Sequence, residues 1–333
     1  MKSLFATTFA PTELSPYTEN STGSVPPDTT VNLSQSASAF RTIPLEPTTR
    51  EFPVVGIDVS SINVGETEHG MIGALRGAVV WRGEDRYSYL RCGPLMFHLG
   101  ATTAAELFGY LGFTNFDGAN VTLGLTARLL IRLRNLFERW LQENAGAAFR
   151  DALVLIDGSL TTGTPDNPAR NLIRMLKIAK DRGNRVMAFS KKTGLTIEGK
   201  PVTNLAESGV APCLLDIDQC VREQFPTHPI LLLGHVYVGK FTKGGYAFRV
   251  DIDAELSEKE AVDAARGLLK SDLLEQGYPE TLRLAHIYST FTAPEVVAMQ
   301  RYVASTYGPQ IVSRLNIRRS LFGPFGTGRE FYH

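Results

Sequence analysis

Two short apolar runs constrain this chain more than anything else in it: Phe52-Pro-Val-Val-Gly-Ile-Asp58 and Ala152-Leu-Val-Leu-Ile-Asp157, each closing on an aspartate followed by small residues. Runs of aliphatic and β-branched residues of this length read as strands buried on both faces. An isolated carboxylate at the mouth of such a strand is costly to desolvate, so each aspartate calls for a cationic partner. If the two strands lie side by side, Asp58 and Asp157 converge on one point, and a hard divalent cation with oxygen ligands is the natural counter-charge. Water held there becomes a nucleophile.

The patterning around these runs predicts an α/β fold. Strand-like segments at Gly70 to Trp81 and Arg86 to Cys92 flank the turn-forming Arg82-Gly-Glu-Asp85, so three consecutive antiparallel strands are expected. Leu125, Leu129, Leu133, Phe137 and Trp140 recur at helical spacing and predict a helix over 122–144. A second helix over Pro168 to Arg182 leads to a third buried strand, Val186 to Ser190, which completes a β-α-β-α-β alternation. Further strands are expected at Ile230 to Tyr237 and Tyr246 to Ile252. A helix should start at Ser257, with Glu258 and Glu260 in its first turn where the helix dipole favours acids, and a last helix pair should cover Leu282 to Tyr307. There is no solenoid-length repeat and no heptad run.

Composition separates a leader from this body. Residues 1–50 are dominated by Ser, Thr and Pro and read as mostly disordered, with docking onto a partner as the functional alternative; the composition changes at Phe52, so 51–333 is read as the folded domain. The opening Met-Lys-Ser-Leu-Phe-Ala-Thr-Thr-Phe-Ala only imitates a signal peptide, because Thr7 and Thr8 interrupt its apolar stretch. No run reaches the roughly 18 to 20 apolar residues needed to cross a bilayer. The three cysteines, Cys92, Cys213 and Cys220, form no C-x-x-C pair, which argues against a disulfide framework and a four-cysteine zinc site. A cytoplasmic protein is the expectation. Thirty-four Lys+Arg balance 34 Asp+Glu, so any polyanion site must be local.

Several further residues carry candidate chemistry beside a plainer reading. Glu138, in Arg134-Asn-Leu-Phe-Glu138-Arg-Trp, lies just off the apolar stripe of its helix, where it either looks along the sheet edge toward the aspartates or is a solvated acid between arginines; Glu143 is the competing helical acid. His286 ends the segment Tyr278-Pro-Glu-Thr-Leu-Arg-Leu-Ala-His286, as a metal ligand, a proton carrier or a hydrogen-bonded packing residue. Lys191 and Lys192 follow a strand, as phosphate contacts or as a solvated turn. Arg170, Arg174 and Lys177 share one helix face, more often solvated than ligand-binding. Phe97, Leu107, Phe108, Tyr110, Leu111, Phe113 and Phe116 are apolar enough to form a subunit contact or a satellite core, and Phe322-Gly-Pro-Phe-Gly-Thr-Gly328 to dock a partner or close the domain.

Taken together, Val-Gly-Ile-Asp58-Val-Ser-Ser, the helical Glu138, Leu-Ile-Asp157-Gly-Ser-Leu, Phe-Ser-Lys191 and Tyr-Pro-x5-Ala-His286 resemble the NurA family of DNA-end-processing nucleases, over nearly all of Phe52 to Tyr302. The resemblance implies a ribonuclease H-like core, a mixed central sheet flanked by helices with family-specific additions. By resemblance Asp58, Glu138 and Asp157 are metal-binding carboxylates and His286 completes the site. It further implies a Mn-dependent deoxyribonuclease tolerating Mg, with two ions per site. Its activities would be those of a 5′–3′ exonuclease and single-strand endonuclease on single- and double-stranded DNA. Homodimers would act with a hexameric HerA-type ATPase in end resection and double-strand break repair. One departure stands out: the family commonly has Gly-Ser after the first aspartate, where this chain has Val59 and Ser60, and Val59 is expected to narrow the approach to metal or phosphate.

Two rivals come from other classes. Gly-Ile-Asp58-Val-Ser-Ser also resembles the first phosphate loop of actin-like ATPases and sugar kinases, although the second half lacks a glycine-rich adenosine-binding segment. A catalytically silent adaptor that keeps the nuclease fold for docking is the other.

Overall fold

The computed structural model describes residues 31–33, 40–67, 69–83, 86–100, 103–104, 106–107, 123–163, 167–207, 209–224 and 231–307. In chain order the elements are β1 (Val31–Leu33), β2 (Arg41–Pro44), β3 (Val54–Thr67), β4 (Gly70–Gly83), β5 (Arg86–Gly100), α1 (Leu123–Ala148), β6 (Leu153–Asp157), β7 (Thr161–Thr162), α2 (Ala169–Asp181), β8 (Arg185–Ser190), β9 (Leu195–Ile197), β10 (Lys200–Pro201), β11 (Cys213–Asp216), α3 (Asp218–Gln224), β12 (Leu231–Leu232), β13 (Gly234–Lys240), β14 (Ala247–Asp253), α4 (Glu258–Ser271), β15 (Leu274–Glu275), β16 (Tyr278–Pro279), α5 (Glu280–Ser289) and α6 (Ala293–Tyr307).

Nine strands form one mixed sheet in the order β2-β11-β13-β14-β8-β6-β3-β4-β5. The expected meander is present: β3, β4 and β5 pair antiparallel. The apolar runs at 54–57 and 153–156 pair in parallel, and β6 then pairs in parallel with β8. Beyond β8 every pairing of this sheet is antiparallel.

The two faces of the sheet carry different helices, and the period of two along β3 records this. Val55, Ile57 and Val59 face α1 and α2, in a cluster with Leu129, Leu133, Phe137, Leu141, Leu172 and Met175. Val54, Leu153, Leu155, Met187 and Phe189 face the other way, against Ala261, Ala265 and Leu268 of α4 and Leu282 of α5. Each fully buried aliphatic side chain of this kind contributes about 1.5–3 kcal/mol through area removed from water. α4 begins where its acids predicted, with a capping box between Ser257 and Glu260.

Three expectations change. Val31–Leu33 and Arg41–Pro44, assigned by composition to a disordered leader, are strands: β1 pairs with β9 and β2 with β11, and Leu33 and Leu45 are buried in separate clusters. The rest of that leader, 1–30 and 34–39, lies outside the described residues. β5 runs on from Cys92 to Gly100, and α1 extends to Ala148. Val59 is 2% exposed and sits on the face opposite Asp58, so it does not crowd the approach to that carboxylate. Phe97 and Leu107 pack against the α1-side core as a satellite; Phe108, Tyr110, Leu111, Phe113, Phe116 and the segment 322–328 lie outside the described residues. No helix among the described residues is long and apolar enough to cross a membrane.

Candidate metal centre

The parallel register Ile57↔Ile156 makes Asp58 and Asp157 neighbours across β3 and β6, both on the α5 face. Gly56, two residues earlier on that face, lets α5 settle on the sheet: a Cβ there would come within 2.9 Å of the Thr281 carbonyl oxygen and 3.1 Å of the Leu282 Cα. The close approach carries the last turn of α5 over Asp58. His286 Nδ1 lies 3.2 Å from Asp58 Oδ2, and Ser289 Oγ donates to the same oxygen at 2.5 Å. Ser60, on the same face of β3, has its Oγ 2.9 Å from Ser289 Oγ. Just past the end of the neighbouring strand β8, Lys191 Nζ donates to Asp157 Oδ2 at 2.7 Å. Ligand atoms of Asp58, Asp157 and His286 all lie within 4.8 Å of one another.

The electrostatics suit a cation. Burial pushes the Asp58 carboxyl up, but hydrogen bonds from His286 and Ser289, with the charge of Lys191, outweigh it and hold the group below the ordinary aspartate value. Asp58 is therefore ionised although only 8% exposed. The side chains that meet the two aspartates are accessible: those of His286 and Lys191 are 52% and 42% exposed. Such partners are free to swing aside. Tyr278 adds a second sign of an incomplete site. It is 8% exposed, and its buried hydroxyl has no hydrogen-bond partner among the described residues. Burial, and then the charges of Asp157 and Asp58, raise its pKa, so the hydroxyl stays protonated beside the pair. Two carboxylates, an imidazole nitrogen and an unsatisfied donor are a donor set that a divalent ion with bound water or phosphate would complete.

The sequence-predicted residues divide. Asp58, Asp157 and His286 come together, and Lys191 joins them through Asp157. Glu138 is outside this tight group, on α1 at the other face of the sheet. It remains within electrostatic reach: burial pushes its pKa up to about 7, Arg134 and Arg139 pull back, and Asp58 and Asp157 add to the rise. Glu143 instead takes a two-pronged ion pair from Arg174, at 2.9 and 2.7 Å, which fastens α1 to α2. Arg170 and Lys177 are exposed, as the solvated reading of that helix face expects.

Ser60, Ser289 and the hydroxyl of Tyr278 were not singled out as site residues from the sequence. For Ser289 a signal existed, since it follows His286 by three and so shares its side of the helix. For Ser60 the signal was the two-residue period from Asp58.

Comparison with known proteins gives the architecture a precedent. No protein-family model and no curated protein matches the sequence. Among solved structures, the NurA nuclease from Sulfolobus solfataricus superposes with a TM-score of 0.52 at 16% identity, over 81% of this chain and 88% of that one. Endonuclease V structures from Bacillus subtilis and Streptomyces avermitilis align over 81% and 78% of this chain at 11% and 14% identity, covering 89% and 86% of theirs, with TM-scores of 0.34 and 0.35 that are too low to bear on the fold. The chain thus has a NurA-like fold, a mixed sheet flanked by helices, with the acidic pair and His286 gathered on one face.

Proposed function

We propose that this protein is a metal-dependent DNA nuclease that hydrolyses phosphodiester bonds at the cluster of Asp58, Asp157 and His286. The observation that carries this reading is the convergence of the three ligand atoms within 4.8 Å on a NurA-like sheet. In this reading Asp58 and Asp157 hold the metal, preferentially Mn with Mg tolerated, and His286 completes the set. Two ions, when bound, supply an activated water and stabilise the leaving 3′ oxygen.

The chain's own residues prepare the site. Ser289, held by Ser60, fixes Asp58 Oδ2 and so orients the carboxylate. Lys191 gives up Asp157 when a cation arrives and turns to the phosphate. The Tyr278 hydroxyl donates to an oxygen of the substrate or of a bound water. Glu138 completes the acidic surround, its carboxyl ionising as cationic charge enters.

The fold likeness to NurA also supports a place in DNA-end resection and double-strand break repair, as a homodimer with a hexameric HerA-type translocase, with 5′–3′ exonuclease and single-strand endonuclease activity. With a neutral net charge, DNA binding by the isolated protein is expected to be modest and salt-sensitive. The direct test is cleavage of end-labelled DNA with and without Mn, comparing wild type with Asp157→Ala. Mn-dependent products from wild type and none from the variant are expected; equal products from both, with contaminating nuclease excluded, would end the reading.

A further inference from the structure

Beside the acidic cluster, the same edge of the sheet carries a row of exposed basic and aromatic groups that begins at Lys191, the partner of Asp157. β6 ends at Asp157 and β8 at Ser190, followed by the exposed Lys191 and Lys192. Next to β8 lies β14, which begins just after the turn Phe241-Thr-Lys-Gly-Gly-Tyr246. From β3 to β14 is three strand spacings, about 14 Å. Lys243 on this turn is exposed, and Tyr246 is 68% exposed.

An aromatic ring so open to water on a loose loop would mean little. This turn is not loose. The Tyr246 amide donates to the Gln276 carbonyl at 2.9 Å, and Gly245 lies so close to that carbonyl that a Cβ would come within 2.6 Å of it. The turn is thereby tied to the β15–β16 hairpin, whose Tyr278 has its hydroxyl beside the aspartates and its ring 5.2 Å from Lys191 Nζ. Phe248, two residues after Tyr246, packs on the Tyr278 ring at 5.4 Å. Tyr246 is thus held in a fixed relation to the cleavage site, with its ring in solvent and lysines on the path between.

We propose that this edge binds single-stranded polynucleotide, with an unpaired base stacked on Tyr246 and Lys191, Lys192 and Lys243 facing the phosphates on the way to the acidic cluster. A stacking ring beside a basic track is the recurring solution for unpaired strands, since every base offers a π-face but a duplex keeps its bases covered. The inference rests on the nuclease reading for what happens at the end of the track, and adds where an unpaired strand is gripped and by which side chains.

Binding is measured without cleavage, in EDTA, by fluorescence anisotropy of a labelled oligothymidylate and of a blunt duplex of equal length. Tyr246→Ala is expected to weaken oligothymidylate binding by at least about fivefold, with less than about a twofold effect on the duplex. Tyr246→Trp should keep the affinity, and its emission should be quenched by the oligonucleotide. Lys243→Ala should lower the salt slope for the single strand by about 0.7. Thermal melts should not move, because both side chains are exposed. Unchanged binding by Tyr246→Ala, equal losses on single strand and duplex, or a changed sedimentation coefficient that marks Tyr246 as a contact between copies would each overturn the proposal. Failure of the wild type to cleave any DNA with Mn would defeat the nuclease reading alone, since the binding comparison is read without it.

Discussion

Glu138 and Glu143 lie five residues apart on α1, with side chains 14% and 11% exposed, and their situations could hardly differ more. Glu143 meets the guanidinium of Arg174 through both oxygens. Among the described residues Glu138 has an ion pair with Arg134 at 4.0 Å and a hydrogen bond from Gln142, whose Oε1 accepts from Arg139 at 2.7 Å. Burial then pushes Glu138 to about 7, against the pull of Arg134 and Arg139 and with Asp58 and Asp157 adding to the rise. Equal burial therefore does not mean equal role. A carboxylate matched by a forked cation is a clasp between helices, whereas one buried and short of positive charge is pushed toward its neutral form.

The contrast can be broken or sharpened by substitution. The largest effect is expected at the acids that share the cluster: Asp157→Ala or Asp58→Ala should lower Mn-dependent cleavage at least about 1,000-fold, as loss of a metal site does. Circular dichroism should remain that of the wild type, and an active variant would remove these residues from the chemistry. Next is the pH dependence of the metal-free fold. Glu138 keeps its proton up to about pH 7 when folded but only to about 4.5 when unfolded, so it favours folding in acid and this contribution is lost as pH rises from 4.5 through 7. The loss is about 3 kcal/mol, and denaturant titrations of Glu138→Gln in EDTA should no longer show it. An identical slope in variant and wild type would mean that Glu138 is not held protonated.

Ser289→Ala comes third. It removes the donor that fixes Asp58 Oδ2, and Mn affinity by calorimetry should fall about tenfold, within the range for such supporting hydrogen bonds. Undiminished affinity would show that His286 alone orients the carboxylate. The smallest change belongs to Glu143→Gln, which should leave cleavage within about twofold while costing about 1 kcal/mol of stability, because Arg174 reaches water once its partner is gone. A large loss of activity there would exchange the roles of the two glutamates.

These residues also show where reading a sequence succeeds. The aspartates were found because a buried strand and a charge at its tip are in conflict within a few residues, and a local conflict is visible locally. The helix cap at Ser257 and the meander from β3 to β5 were visible for the same reason. β1 and β2 were not. They are three and four residues long in a Ser- and Thr-rich stretch, and what makes them strands is pairing with β9 and β11, more than 150 residues further on. The choice between Glu138 and Glu143 was equally out of reach, because it depends on where Arg174, 31 residues away, presents its guanidinium. Ser60 and Ser289 bond across 229 residues, a relation that no spacing in the chain encodes.

By itself, then, the order of residues determined the buried strands, their acidic tips and the α/β alternation, since each follows from side-chain chemistry over short distances. Which carboxylates are answered by a cation and which are left short of one was decided only by the packing of α1 and α5 on opposite faces of the sheet, because the energy of a charge depends on every group around it in space.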